Sequence, residues 1–501
     1  MAGSDDRSVN VIDGALFRPL VVLSTPIVLT QLLQVGYNLA DTFWVGRLGS
    51  AGVAALSYSW AIVFVMISVG AGFTVAGTVL VAQNKGANRL ERSHHVAGQT
   101  IAFVTVLSVG LSILGWILAP VLLQIVGAEP GTDPYIFALE YTRVIFIGVF
   151  AMFWFFIFNA LMRGWGDTRT PLYIMLFSVV LNVVIDPFFI LGFVDNDLFV
   201  WLSVVPGFDG IAVEAALYEA TGFDGFGVRG AAIATVLSRG LAAAVGLWML
   251  FGGRVGLSPG LDDLWLERDT VRTIVELGTP TAGEMGFRSL GIAALTAIVA
   301  IAGTDAVAAY GIVSRLASLV FLPAIGVARG TETVVGQNLG ARQIDRAKHA
   351  VFLAWGLIAT GLGIVGIVGV LFAEPITGVF ITGERAATVV DLGSQYLLIC
   401  GPFFAFLGIF RVTLGGFRGS GNTRTAMVFS IQELWIYRIP LAYVLLTYVG
   451  MGVVGVWYAM AVSYVLSALT TAGWFLRGTW TDPEVDDAPM RSVTIDRPPN
   501  E

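Results

Sequence analysis

Asp41 and Asp186 offer the most chemistry in this sequence, because each sits in a run otherwise apolar enough to lie in lipid. Gln31, Gln34, Asn38 and Asp41 recur at intervals of three and four, so on a helix they form one polar stripe, with Tyr37 beside it. The stretch from Pro171 to Gly192 carries Asn182 and Asp186, four apart and therefore on one helix face. Pro187 follows the carboxylate and removes a backbone donor, which loosens a helix locally. An Asp at membrane depth costs roughly 2.5–3.5 kcal/mol on insertion scales, so its default reading is functional. A polar stripe of this kind faces protein or a water-filled cavity, since lipid cannot satisfy it. The bland alternatives are an Asp41–Arg47 ion pair near one surface and an Asp186 solvated by headgroups at its helix end. Asn159, Asn182, Asp186 and Thr235 could share one cavity with the stripe. Two carboxylates with Asn and Thr oxygens suit a hard cation or a proton, and spacing alone does not separate Na⁺ from H⁺. Met175 fits plain core and ligand contact about equally.

The elements that hold these residues are long apolar runs. The chain has 501 residues, 56% hydrophobic and only 13% charged, against about 25% charged in a soluble domain. Its mean hydropathy is +0.81. Runs near 16–45, 52–82, 97–127, 135–161, 171–193, 229–252, 272–302, 306–336, 350–373, 388–413, 425–449 and 452–476 each reach the roughly 20 residues a bilayer needs. The fold class expected is an all-α polytopic membrane protein with about twelve transmembrane helices. A β-barrel is excluded by the continuity of the runs. The acidic N-terminus carries no small-residue cleavage site, so the first helix is expected to remain as a span.

The chain also repeats itself. Val81-Ala-Gln83-Asn84-Lys85-Gly86-Ala87 returns as Val335-Gly-Gln337-Asn338-Leu339-Gly340-Ala341, 254 residues on. Arg163-Gly-Trp-Gly-Asp-Thr-Arg-Thr returns from Arg418 as Arg-Gly-Ser-Gly-Asn-Thr-Arg-Thr, and Pro26 and Gly49 return as Pro280 and Gly303. Two halves of six spans each enter the membrane from one side, so a pseudo-twofold axis along the membrane normal relates them. Gly227-Val-x-Gly returns as Gly452-Val-x-Gly only 225 residues on, which places an insertion of about 30 residues near 194–226 in the first half. The expected organisation is a tail at 1–15, a six-helix lobe at 16–252 with the insertion as a surface cap, a loop at 253–271, a second six-helix lobe at 272–476 and an acidic tail at 477–501.

Lys and Arg concentrate in alternate loops: Lys85, Arg89 and Arg92; Arg163 and Arg169; Arg342, Arg346 and Lys348; Arg418 and Arg424. The intervening loops carry acids, among them Glu129, Asp133, Asp195, Asp197, Glu374 and Glu384. This asymmetry predicts that both termini are cytoplasmic and the insertion is outside. Net charge is −7 and Lys85 and Lys348 are the only lysines. Acidic, lysine-poor surfaces are a lever of salt-loving organisms, so a halophilic source is one reading and compositional drift the other.

Several functions are excluded. No Gly-Lys-[Ser/Thr] P-loop exists, so ATP hydrolysis by that route is out. Gly225-Phe-Gly-Val-Arg-Gly230 fits G-x-G-x-x-G but follows no buried strand, so no dinucleotide site is expected. Cys400 is the only cysteine, and His94, His95 and His349 lack carboxylates at ligand spacing, so neither a disulfide nor a metal site is expected. No cofactor, no enzyme chemistry and no nucleic-acid partner follow. In the second half Glu284 lies near Arg288 in sequence, with Arg315, Glu332, Arg411 and Arg438 in later spans; ion pairing among them is the expectation.

With these residues in view, the chain resembles the multidrug and toxic compound extrusion (MATE) family of cation-coupled antiporters, in its archaeal, DNA-damage-inducible-F-like (DinF-like) branch. The resemblance covers nearly all of 15–478. Its most specific pieces are Pro26 through Asp41, Gln83-Asn-Lys-Gly-Ala, Asn159-Ala-Leu-Met-Arg-Gly-Trp-Gly-Asp-Thr and Leu181-Asn-Val-Val-Ile-Asp-Pro187. It implies a cation site at Asp41, Asn182, Asp186 and Thr235, and substrate contacts at Gln34, Tyr37, Asn38, Asn159 and Met175. Pro26 and Pro187 would be the helix-bending positions, and Glu284 matches the family's seventh-span Glu as a possible secondary site. The bacterial branch adds an acidic residue in the tenth span, whereas 392–410 has none. The function implied is H⁺- or Na⁺-coupled export of amphiphilic or cationic small molecules by a monomer in the plasma membrane. The alternative is a lipid-linked saccharide flippase of the same superfamily, which a cavity lined by several arginines would favour.

Topology is directly testable. In a Cys400→Ala background, Asp209→Cys should react with an impermeant maleimide in intact cells and Asn88→Cys should not. The reverse labelling would overturn the orientation.

Overall fold

With no water in hydrocarbon, an apolar run satisfies its backbone most directly by closing its own hydrogen bonds, so the runs become helices. The computed structural model describes residues 8–379 and 386–481. The first half contains α1 (Phe17–Gly46), α2 (Ser50–Gly86), α3 (Leu90–Ile125), α4 (Asp133–Ile147), α5 (Val149–Trp165) and α6 (Arg169–Leu191). Two short helices, α7 (Asp197–Leu202) and α8 (Gly210–Thr221), precede α9 (Val228–Phe251). The second half contains α10 (Arg268–Ala300), α11 (Thr304–Gly340), α12 (Ile344–Leu371), α13 (Ala373–Gly378), α14 (Ala386–Cys400), α15 (Phe404–Gly419), α16 (Thr423–Ile431), α17 (Ile439–Thr447) and α18 (Val453–Leu476).

Among the described residues ten helices are long and apolar enough to cross a bilayer, α14–α15 counting as one, and α4–α5 forms an eleventh bent by 55°. The run 423–447 is helical throughout and, at 1.5 Å per residue, long enough to be the twelfth. Its middle, Gln432–Arg438, is π-helical. The sequence pattern carried no sign of that widening.

Two cores form. One gathers residues from Tyr37 to Leu277 and the other gathers the second half from Leu295 to Trp480. The ends of two helices cross over. Leu16, Leu20 and Leu23, at the start of α1, belong to the second core, while Ile274 and Leu277, at the start of α10, belong to the first.

The sequence repeat acquires a structural reason here. Gly49 and Gly303 precede α2 and α11 with φ of +94° and +100°, a backbone region open mainly to glycine. The other repeated motifs meet across the seam. Gln83 Nε2 donates to the Gly419 carbonyl at 3.1 Å, and Gln337 Nε2 donates to the Gly164 carbonyl at 2.9 Å. Each half's Gln-Asn motif is thus bonded to the other half's Arg-Gly-x-Gly motif. A Cβ on Gly86 would overlap the Gln337 carbonyl, and one on Gly340 would overlap that of Gln83. Farther along α2, a Cβ on Gly72 would come 2.6 Å from Ala282 of α10. Residues 8–14 lie over the same seam: Val9 N–H donates to Gly166, while Asn338 and Arg346 donate to Val11.

The 194–226 insertion packs on the opposite ends of α1 and α6. Trp201 meets Trp44 at 5.4 Å and Phe199 meets Phe188 at 6.0 Å, while Arg47 pairs with Asp197 at 3.0 Å. Glu384 and the acidic residues after Thr481 lie outside the described residues.

The seam makes a testable statement. Gly86→Val or Gly340→Val should disfavour the sealed arrangement by roughly 1–3 kcal/mol, the usual cost of overpacking. A maleimide should then react faster with Thr333→Cys in a Cys400→Ala background, because Thr333 is buried at the seam and donates to the Arg163 carbonyl. Unchanged reactivity would show that backbone contact is not what seals this end.

Candidate functional site

The first lobe brings α1, α6 and α9 together around the residues that the spacing singled out. On α1, Gln34 Nε2 donates to Asn38 Oδ1 at 3.0 Å, the i to i+4 contact that the stripe implies. Tyr37 donates its hydroxyl proton to Thr235 Oγ1 of α9 at 2.6 Å. On α6, Asn182 Nδ2 donates to Asp186 Oδ1 at 2.9 Å. Asp41, Asn182 and Asp186 are all buried, and Asp41 and Asp186 lie within electrostatic range of each other. Arg47 is engaged by Asp197, so the Asp41–Arg47 pair does not form.

The site is short of donors. Both carboxylate oxygens of Asp41, Asp186 Oδ2 and Asn182 Oδ1 are buried with no hydrogen-bond partner among the described residues. Buried acceptors normally have partners, so four orphaned oxygens on two neighbouring helices set this cluster apart from ordinary core. Asn159, on α5, donates to the Phe155 carbonyl at 2.6 Å and leaves its own Oδ1 without a partner. Met175 is buried on α6, about two turns before Asn182, and among the described residues no polar contact ties it to the site. Pro26 and Pro187 both lie inside unbroken helices.

One central residue escaped the reading of the sequence. Arg239 follows Thr235 by four on α9 and is buried. Its Nη2 donates to Gln34 Oε1 at 2.9 Å, and its guanidinium lies 4.9 Å from the Tyr37 ring centre. It is also the positive charge that Asp41 senses. An arginine inside an apolar span, on the face of a polar threonine, was the available signal. Tyr141 of α4 is a second omission: it is buried within range of Asp41, Asp186 and Arg239.

The second lobe is arranged differently. Glu284 does not pair with its sequence neighbour Arg288; Arg418 of α15 donates to it at 2.5 Å. Glu433 pairs with Arg438, which also donates to Ser463 at 3.0 Å. A spacing of five places these two on one face only because the helix is π-helical there. Near the seam His95 sits between Asp263 at 3.0 Å and Glu267 at 3.1 Å, carboxylates supplied by the inter-lobe loop rather than by its own neighbourhood in sequence. Among the described residues no group of three metal-ligating side chains forms.

The MatE family model matches residues 26–188 and 280–444, two segments whose starts lie 254 residues apart, the offset of the internal repeat. The chain belongs to the MatE family. This MatE chain is 27% identical over 468 residues to a probable multidrug resistance protein of Bacillus subtilis, YoeA, covering 92% of this chain and 94% of the relative. It is also 27% identical over 475 residues to a probable multidrug resistance protein of Thermotoga maritima, NorM, covering 92% and 93%. It superposes with a TM-score of 0.82 on an outward-facing multidrug resistance MATE transporter at 25% identity, covering 94% of this chain and 98% of that one. It is therefore a multi-pass membrane transporter and not an enzyme.

Arg239 is the testable element. Arg239→Gln should lower thermal stability in detergent by on the order of 3–5 kcal/mol, as when one partner of a buried charge pair is removed. Arg239→Lys should recover part of the loss, keeping the charge but not the fork that reaches Gln34. An unchanged melting temperature would exclude Arg239 as the counter-ion of this site.

Proposed function

We propose that this MatE transporter is a secondary antiporter that exports amphiphilic, often cationic compounds in exchange for H⁺ or Na⁺. The observation that carries the reading is the charge balance of the first lobe. Asp41 lies within range of the Arg239 guanidinium and Asp186 within range of Asp41, so this cluster of three carries one net negative charge when all are ionised. One monovalent cation neutralises it. The orphaned oxygens of Asp41, Asn182 and Asp186, with the Thr235 hydroxyl nearby, are its candidate ligands. Gln34, Tyr37, Asn38, Asn159 and Met175 would line the path of the exported compound. Names of the relatives point the same way, since those proteins are described as multidrug resistance proteins.

Cation entry would remove the repulsion between Asp41 and Asp186 and allow α1 and α6 to draw together. Pro26 and Pro187 each leave a carbonyl one turn earlier without its helical donor, which makes these the places to bend. An ion that binds one arrangement better than the other is sufficient to shift the population. We place the sealed end, with Gln83 and Gln337, at the cytoplasm on the strength of the Lys and Arg distribution. The structure then corresponds to a state closed to the inside. The same reasoning puts both termini in the cytoplasm; a monomer in the plasma membrane, of the archaeal DinF-like branch, is what the family resemblance implies. Uncompensated carboxylates in the first lobe favour an antiporter over a saccharide flippase.

Gradient-driven efflux decides the matter. Asp41→Asn and Asp186→Asn should each reduce efflux to the level of cells lacking the transporter, at equal membrane abundance. Glu284→Gln should retain coupled export, since Glu284 is already held by Arg418. If Glu284→Gln abolishes transport while Asp186→Asn does not, the coupling ion is bound in the second lobe.

A further inference from the structure

We propose that Arg288 and Arg411 form a second-lobe binding site for the anionic group of an amphiphile: a carboxylate, phosphate or sulfonate carried on an apolar body. The two residues come from different helices, α10 and α15, and converge on one ring. The Arg288 guanidinium lies 5.4 Å from the centre of Phe321 of α11, and that of Arg411 lies 5.2 Å from it. Arg411 also lies 5.4 Å from the Phe410 ring centre. Among the described residues neither arginine forms a hydrogen bond or an ion pair. Arg411 Nε and Nη2 are buried and unpartnered.

The nearby carboxylates answer this charge only in part: Glu433 and Glu284 lie within range of both arginines, but each is bonded to another arginine. Glu284 is bonded to Arg418 and Glu433 to Arg438. Each of those pairs is balanced, so Arg288 and Arg411 remain as an excess of two positive charges, and Arg411 lies within range of Arg288. Like charges in a membrane interior repel, and aromatic faces offset only a small part of that repulsion. Two forked donors converging on one place suit a bidentate oxyanion. The surrounding groups suit an apolar body: Phe321, Phe410 and Trp435, whose indole donates to the Phe287 carbonyl at 2.9 Å.

The repeat sharpens the contrast. At the 254 offset Arg288 corresponds to Gln34, and at the 225 offset Tyr464 corresponds to Arg239. Asp41 corresponds to Leu295 at the 254 offset, so the duplicated positions do not share their buried charges: Asp41 and Arg239 have uncharged counterparts in the second lobe, and Arg288 has one in the first. This inference deepens the transporter reading by adding a substrate class held in the other lobe.

Equilibrium binding tests it without any ion gradient, so its failure is separate from failure of the antiport reading. The purified full chain in neutral detergent is titrated into carboxyfluorescein, followed by anisotropy, with rhodamine 6G as the cationic comparison. Arg288→Gln and Arg411→Gln should each weaken carboxyfluorescein binding by about tenfold or more, the scale of one charge-assisted hydrogen bond. Rhodamine binding should change by less than about twofold, as expected when no charge partner of the dye is removed. Thermal unfolding reports whether each variant is folded. On the wild type, dodecyl phosphate should displace carboxyfluorescein and dodecyltrimethylammonium should not. Displacement by added phosphatidylglycerol would assign the site to a lipid headgroup, and its absence to a soluble anion. The proposal is overturned if the wild type shows no saturable carboxyfluorescein binding, if both dodecyl compounds displace it equally, or if folded Arg→Gln variants bind it as the wild type does.

Discussion

A carboxylate inside a bilayer has no bulk water to turn to, and the first lobe is organised around that shortage. Asp41 and Asp186 come from different helices, and neither finds enough donors within its own. Their burial is tolerable only because α9 delivers Arg239 between α1 and the aromatic face of α5. Tyr37 links the same helices through Thr235. Neighbouring spans therefore cannot be exchanged for generic apolar helices, since each supplies a polar group that another requires. The residual imbalance is the feature on which the proposed antiport rests.

At the seam the protein uses its own duplication. A glutamine from each repeat reaches a backbone carbonyl of the other, and glycine at the matching positions lets the backbones touch. Such contacts rely on main chain more than on side-chain identity. The π-helical stretch in 432–438 shows a comparable economy in the second lobe, where one extra residue per turn brings Glu433 against Arg438.

Much of the architecture was legible in the amino-acid order. Apolar runs located the spans because lipid demands long uninterrupted helices, and the repeated motifs of the two halves meet one another at the seam. The Gln34–Asn38 and Asn182–Asp186 contacts were legible because helical periodicity alone creates them. What lay hidden were partners distant in sequence. Arg239 reaches Gln34 across 205 positions, and Arg418 reaches Glu284 across 134. Arg288, one helical turn from Glu284, was the natural partner to expect; helix packing decided otherwise. His95 was set aside for want of neighbouring carboxylates, and folding supplied two from the loop between the lobes. The π-helical widening left no trace in periodicity.

The crossed ends of α1 and α10 bear on how the chain is made. Leu16, Leu20 and Leu23 leave the ribosome long before their packing partners in the second half, which run from Leu295 onward. At translation rates of roughly 5–20 residues per second, that delay spans on the order of 15–60 s. During that interval the first lobe can assemble around Tyr37 and Asp41 while the leading turns of α1 remain against lipid or an insertion factor. The second lobe then matures by closing onto a helix end already present. The second core is incomplete without the start of α1, so the later-made half packs onto residues synthesised well before it.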